Sequence, residues 1–162
     1  MNVLEHLEPK SVFRFFEEMC AIPHGSRNTK AVSDWCADFA RARGLEYHQD
    51  GDNNIIIIKE AAPGYEAAPP VILQGHLDMV CEQTADCQKD MSREGLDLAV
   101  DGDFVYAKGT TLGGDDGIAV AMALALLDAE GLPHPRLEAV FTVDEEIGLL
   151  GAASIDVTPL KG

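Results

Sequence analysis

Basic residues are scarce in this 162-residue chain: 12 Lys and Arg face 28 Asp and Glu, a formal net charge of −16 at pH 7. A field of that sign repels polyanions, which argues against nucleic acid and anionic membrane surfaces as partners. No CxxC pair occurs among the four cysteines Cys20, Cys36, Cys81 and Cys87, so a structural zinc knuckle is not expected. At the start, MNVLEHLEPKSV, no basic segment leads into an apolar run, and no signal peptide is expected. No apolar stretch is long enough to span a bilayer. Free thiols in a reducing cytoplasm are the simplest account of these absences. What is present is an ordinary globular composition, 46% hydrophobic and 25% charged, which excludes disorder over the whole chain. The length suits one domain with a real core. The acidic excess has two readings, solubility or carboxylates converging on a cation, and net charge does not choose between them.

Periodicity gives the organisation. Val12, Phe13, Phe16, Met19 and Cys20 recur at helical spacing over Lys10 to Cys20, with Pro9 and Ser11 at the start and Pro23 and Gly25 beyond the end. A second helix opens near Asn28 or Thr29, carries Val32, Trp35, Cys36, Phe39 and Ala40 as its stripe, and closes at Gly44. Leu45 to Gln49 and the β-branched run Ile55 to Ile58 read as strands around the turn Asp50-Gly51-Asp52-Asn53. After a Pro- and Ala-rich loop, Val71 to Leu73 starts a short strand. Cys81 to Glu94 lacks a period and reads as a long loop. Leu96 to Val100 and Phe104 to Ala107 form a hairpin around Asp101-Gly102-Asp103. Gly117 to Leu127 is Ala-, Leu- and Met-rich, a helix expected to be buried on most sides. Leu137 to Val143 is a further strand, and Gly151 to Ile155 begins a helix. Strands alternating with helices predict an α/β fold: a mixed β-sheet flanked by helices.

Three clusters follow apolar strands or glycine-rich turns, where sites form in open α/β sheets. In extended backbone His76 and Asp78 face the same way while Leu77 packs behind; an imidazole suits zinc, and a nearby carboxylate can orient the ring. A strand-end His beside a loop Asp is the plain alternative. Gly113-Gly114-Asp115-Asp116-Gly117 sets two carboxylates before an apolar helix, either as ligands or as an acidic N-cap. Asp144-Glu145-Glu146 ends a buried-looking strand, where three acids repel one another unless a dication or solvent relieves them. The combined donor set is nitrogen and oxygen without thiolate. It fits zinc, manganese or cobalt in a hydrolase, and two such ions could share a bridging carboxylate.

These clusters, in this order, resemble the aminoacylase and dipeptidase superfamily of co-catalytic zinc hydrolases. The longer stretches Gly75-His76-Leu77-Asp78-Met79-Val80-Cys81-Glu82, Gly109 to Ile118 and Thr142 to Leu149 resemble its aminoacyl-histidine dipeptidase branch. The likeness includes Ile22-Pro23-His24-Gly25-Ser26. It implies a dinuclear zinc site (Co2+ or Mn2+ also possible) hydrolysing dipeptides, Xaa-His among them. His76 binds one metal, Asp115 bridges both across a cis bond to Asp116, and Glu146 binds the other; Asp78 orients His76 and Glu145 is the general base. Asp116 replaces the Asn or Lys often seen there and is expected to be structural. The same resemblance makes residues 1–162 the N-terminal portion of a metallopeptidase catalytic domain. A further acidic ligand, a late His and a lid domain that makes the homodimer contact are then expected outside the chain, and the fragment alone is expected to be inactive or nearly so. His134, between Pro133 and Pro135, is expected to be an exposed turn residue, and His6, His24 and His48 have no motif support as ligands. An N-acyl amino acid deacylase and a non-catalytic scaffold domain are the competing readings.

Overall fold

The computed structural model describes residues 3–162. Its elements run α1 (Lys10–Cys20), α2 (Lys30–Ala42), β1 (Glu46–Gln49), β2 (Ile55–Lys59), β3 (Val71–His76), β4 (Leu98–Asp101), β5 (Phe104–Ala107), α3 (Gly114–Asp128), β6 (Leu137–Thr142) and α4 (Leu150–Ser154). Four strands form one sheet in the order β1-β2-β6-β3, and β4 and β5 form a separate hairpin. β2 pairs antiparallel with both β1 and β6, whereas β3 runs parallel to β6. The sheet is therefore mixed, as the alternation of strands and helices predicts.

Side chains alternate across the sheet with a period of two, and the register decides what each face does. Ile55 and Ile57 of β2, with Leu137, Ala139 and Phe141 of β6, join the main core with residues of α1, α2 and α3. The edge-on Phe15–Phe39 pair, with ring centroids 5.4 Å apart, ties α1 to α2. On the opposite face Ile56, Ile58 and Val140 form a smaller cluster covered by Ile155 and Leu160. Glu138 lies there too, fully buried, because its carboxylate accepts from Arg136 Nε at 2.7 Å and from the backbone N–H groups of Lys161 and Gly162. A buried charge is tolerable only when paired in this way.

Several expectations need correction. The strand that starts at Val71 runs on to His76, because parallel pairing with β6 continues to His76↔Thr142. Phe15 joins the core stripe of α1 fully buried, and Phe13 packs against that core only partly buried. α3 is less enclosed than its composition suggests: Met122 and Leu126 are exposed, since helices and sheet cover only one side of it. His134 is buried, its Nδ1–H donating to the Pro135 carbonyl at 2.7 Å. No helix among the described residues is long and apolar enough to cross a membrane.

Candidate metal centre

The end of β3 builds the first part of the site. His76 pairs with Thr142 on β6, and the chain then continues extended, so His76 and Asp78 share one face while Leu77 is completely buried in the main core. The His76 ring is nearly buried, with Nδ1–H donating to the Asp78 backbone carbonyl at 2.9 Å. This contact favours the tautomer with its proton on Nδ1, in which the Nε2 lone pair can bind a metal. The Asp78 carboxylate, wholly inaccessible, approaches Nδ1 less closely, with Oδ1 at 3.4 Å. Its acceptors are used elsewhere: Oδ1 takes the Glu145 N–H at 3.0 Å, and Oδ2 takes the Ser26 hydroxyl at 2.8 Å and the Glu146 N–H at 3.4 Å.

The second part comes from the start of α3. Gly113 adopts a left-handed φ of 65°, and Asp115 and Asp116 have non-helical angles, so regular helix begins near Gly117. A side chain at Gly113 would be strained and would meet Met79 Sδ at 2.9 Å. The Asp115–Asp116 peptide bond is cis. Asp115 points outward with its side chain 89% exposed, and its Oδ1 lies 3.2 Å from His76 Nε2. Asp116 turns inward, and its Oδ2 accepts the His76 N–H at 3.3 Å.

The third part is the turn after β6. Leu77 N–H donates to the Thr142 carbonyl, tying the two strand ends together. Glu145 Oε2 lies 3.8 Å from His76 Nε2. Asp144, at a left-handed φ of 55°, points elsewhere and accepts the Arg27 N–H at 2.6 Å. Of the three acids, Asp144 turns away while Glu145 and Glu146 both approach His76, so the repulsion their sequence predicts persists at the site.

Ligand atoms of His76, Asp115 and Glu146 all lie within 4.8 Å of one another. One buried imidazole and two exposed carboxylates make a nitrogen and oxygen set suited to zinc, cobalt or manganese. The electrostatics agree with a cation site. Burial alone would lower the His76 pKa, but the Asp115 hydrogen bond and the charges of Asp78 and Asp116 outweigh it and hold the ring above its usual value. Burial raises the Asp116 carboxyl, with Asp115 and Glu145 adding to the rise against the His76 N–H.

A cavity of about 540 Å³ opens over the cluster, lined by His76, Asp115, Asp116 and Glu145 and continuing along Gln74 and Val140 to Ile155. A larger one, about 700 Å³, lies at the far end of the sheet near Lys59 and Leu127 and holds none of the candidate residues. His6 and His48 are not among the residues lining the first cavity. His24 is buried, and burial lowers its pKa against the pull of the Ile22 carbonyl and Asp78. The sequence reading misses Ser26 as a contact of Asp78. Its place in the stretch Ile22 to Ser26, singled out only as part of a resemblance, was the available signal.

The profile of peptidase family M20/M25/M40 matches residues 72–157. The cytosol non-specific dipeptidase of Escherichia coli is 38% identical over 152 residues, which is 94% of this chain and 31% of that protein. The crystal structure of aminoacylhistidine dipeptidase from Vibrio alginolyticus superposes with a TM-score of 0.94 at 36% identity, covering 98% of this chain and 32% of that one. A tripeptidase from Staphylococcus aureus, 22% identical with a TM-score of 0.76 over 93% of this chain and 40% of its own, shares the fold. The chain therefore spans 31–32% of the length of its two dipeptidase relatives.

Proposed function

The chain belongs to peptidase family M20/M25/M40, and on that premise we propose that it carries part of the active site of a cytoplasmic, zinc-dependent dipeptidase. The observation that carries this reading is the convergence of His76, Asp115 and Glu146 donor atoms within 4.8 Å, with Glu145 beside them. His76, Asp115 and Glu146 are the residues that would hold the metal, with Asp115 the carboxylate that two ions would share. A bound divalent cation there supplies Lewis-acid polarisation of the scissile carbonyl and acidifies water.

The chain's own residues do the rest. His76 presents Nε2 because Nδ1–H is committed to the Asp78 carbonyl. Glu145, 3.8 Å from that nitrogen, takes a proton from the attacking water and passes it to the departing amine. Asp78 holds the Glu145 backbone in place. Asp116 secures the His76 backbone and need not touch substrate. Residues 1–162 form the N-terminal portion of the catalytic domain in this reading. The remaining ligands and the dimer-forming lid belong to further chain, so the isolated segment turns over little or no dipeptide.

Dipeptide substrates, Xaa-His among them, are favoured over N-acyl amino acids by the likeness to dipeptidases. Side-by-side assays of the full-length protein with zinc or cobalt test this. Faster turnover of dipeptides, abolished by a chelator and restored by metal, is expected. Preference for N-acyl amino acids, or activity indifferent to chelation, would overturn it.

A further inference from the structure

We propose that Ser26 is a positioning residue that sets the acidic turn through Asp78, an inference that rests on the dipeptidase reading above. The half-buried Ser26 hydroxyl donates to Asp78 Oδ2 at 2.8 Å across 52 residues of sequence. The carboxylate it reaches is fully buried. That carboxylate is the common acceptor for the N–H groups of Glu145 and Glu146, at 3.0 and 3.4 Å. It also stands 3.4 Å from His76 Nδ1. Orientation of one buried carboxylate therefore decides the position of the proposed base, one proposed ligand and the imidazole. An Asp side chain can rotate about its bonds; the Ser26 hydroxyl selects the rotation in which both oxygens meet the turn.

The segment around Ser26 is built for this task. Ser26 N–H donates to the Met79 carbonyl and Met79 N–H to the His24 carbonyl, each at 3.2 Å, locking the segment to the strand end that bears Asp78. The next residue, Arg27, takes a left-handed φ of 66° and donates its N–H to Asp144 Oδ1 at 2.6 Å. The turn 144–146 is thus held from two sides by adjacent residues of one N-terminal loop, through Asp144 directly and through Asp78 indirectly. Ser26 touches no substrate in this account and acts only through the carboxylate it orients. Outer-shell partners of this kind commonly change activity without forming part of the chemistry.

Ser26→Ala and Ser26→Thr in the full-length protein test the proposal by two independent readouts. With Ser26→Ala, kcat on a dipeptide falls about 10- to 100-fold with KM nearly unchanged, and Ser26→Thr recovers most of the loss because it keeps the hydroxyl. Amide hydrogen exchange at Glu145 and Glu146 accelerates at least about fivefold in Ser26→Ala, as loss of a shared acceptor geometry requires, while Ile57 in β2 keeps its protection. Unchanged exchange at Glu145 and Glu146, or equal acceleration at Ile57, overturns the proposal. Ser26→Cys, close in shape with a much weaker donor, is read the same way should Ser26→Ala not fold. If the unaltered protein turns over no dipeptide, the functional reading fails, and amide exchange still decides the role of Ser26.

Discussion

On one face of the sheet Ile55, Ile57, Ala139 and Phe141 meet three helices and are sealed from water. On the other, Ile56, Ile58 and Val140 make a small cluster beside the buried Arg136–Glu138 pair, and His76 lies on that face, facing Asp115 and the acids that follow β6. The same strands serve both faces, because alternate residues point opposite ways. Apolar burial on the first face stabilises the scaffold. The second face carries groups that cost stability: like charges close together, a desolvated imidazole, and carboxylates with too few partners. Stability and chemistry are thus separated by a single-residue step along β6, where Phe141 packs and Thr142 borders the site.

If the separation is real, substitutions on the two faces have opposite signatures. The largest effect is expected from Glu145→Gln in the full-length protein, a loss of about 10²–10⁴ in kcat. The fold does not suffer: removing one of several crowded carboxylates raises the melting temperature of the metal-free protein or leaves it unchanged. A fall in melting temperature with full activity would blur the two faces into one. Phe141→Ala is the converse case. It empties a fully buried site and should cost about 3–5 kcal/mol of stability by denaturant titration, with zinc affinity retained in the molecules still folded.

Gly151→Ala tests the junction between the two regions. A Cβ there would lie 2.3 Å from Asn54 Oδ1 and 2.4 Å from the Val143 carbonyl. Asn54 is buried, accepts the Val143 N–H at 3.1 Å and donates to the Gly151 carbonyl at 3.2 Å. The substitution should cost about 1–3 kcal/mol and reduce metal affinity as well, since it displaces the strand end that leads to Asp144. A pure stability loss would show that the acidic turn is independent of this packing.

The smallest effect concerns the helix-covered face at high pH. Burial, with Glu17 adding, pushes the Cys20 thiol from 9.0 up to about 12. Between those values the unfolded chain has released the proton and the folded chain keeps it. Stability is therefore full below pH 9 and declines above it, by about 1.4 kcal/mol per pH unit for this group. Burial raises Cys36 too, so Cys20→Ala should flatten the decline only in part. A stability profile flat to pH 11 would contradict the burial of both thiols.

Much of the scaffold was legible in the sequence because hydrophobic period reports local geometry directly: α1 over Lys10 to Cys20, the β-branched run of β2, and the alternation that puts His76 and Asp78 on one face. The acidic motifs at 115–116 and 144–146 were legible as clusters. Polar groups whose surroundings come from distant chain were not. Glu138 is buried because Arg136 and the backbone of residues 161–162 satisfy it. His134 between two prolines reads as an exposed turn and is buried. Ser26 and Arg27 look like ordinary loop residues, and their use depends on partners 52 and 117 positions away. Nothing in the local pattern encodes such pairings.

The central claim is that His76, Asp115 and Glu146 form a divalent-cation site. Calorimetric titration of the protein with zinc, alongside His76→Ala, tests it most directly. Saturable binding that weakens at least about 10-fold in His76→Ala is the predicted result. A flat titration, or binding indifferent to His76, would contradict it.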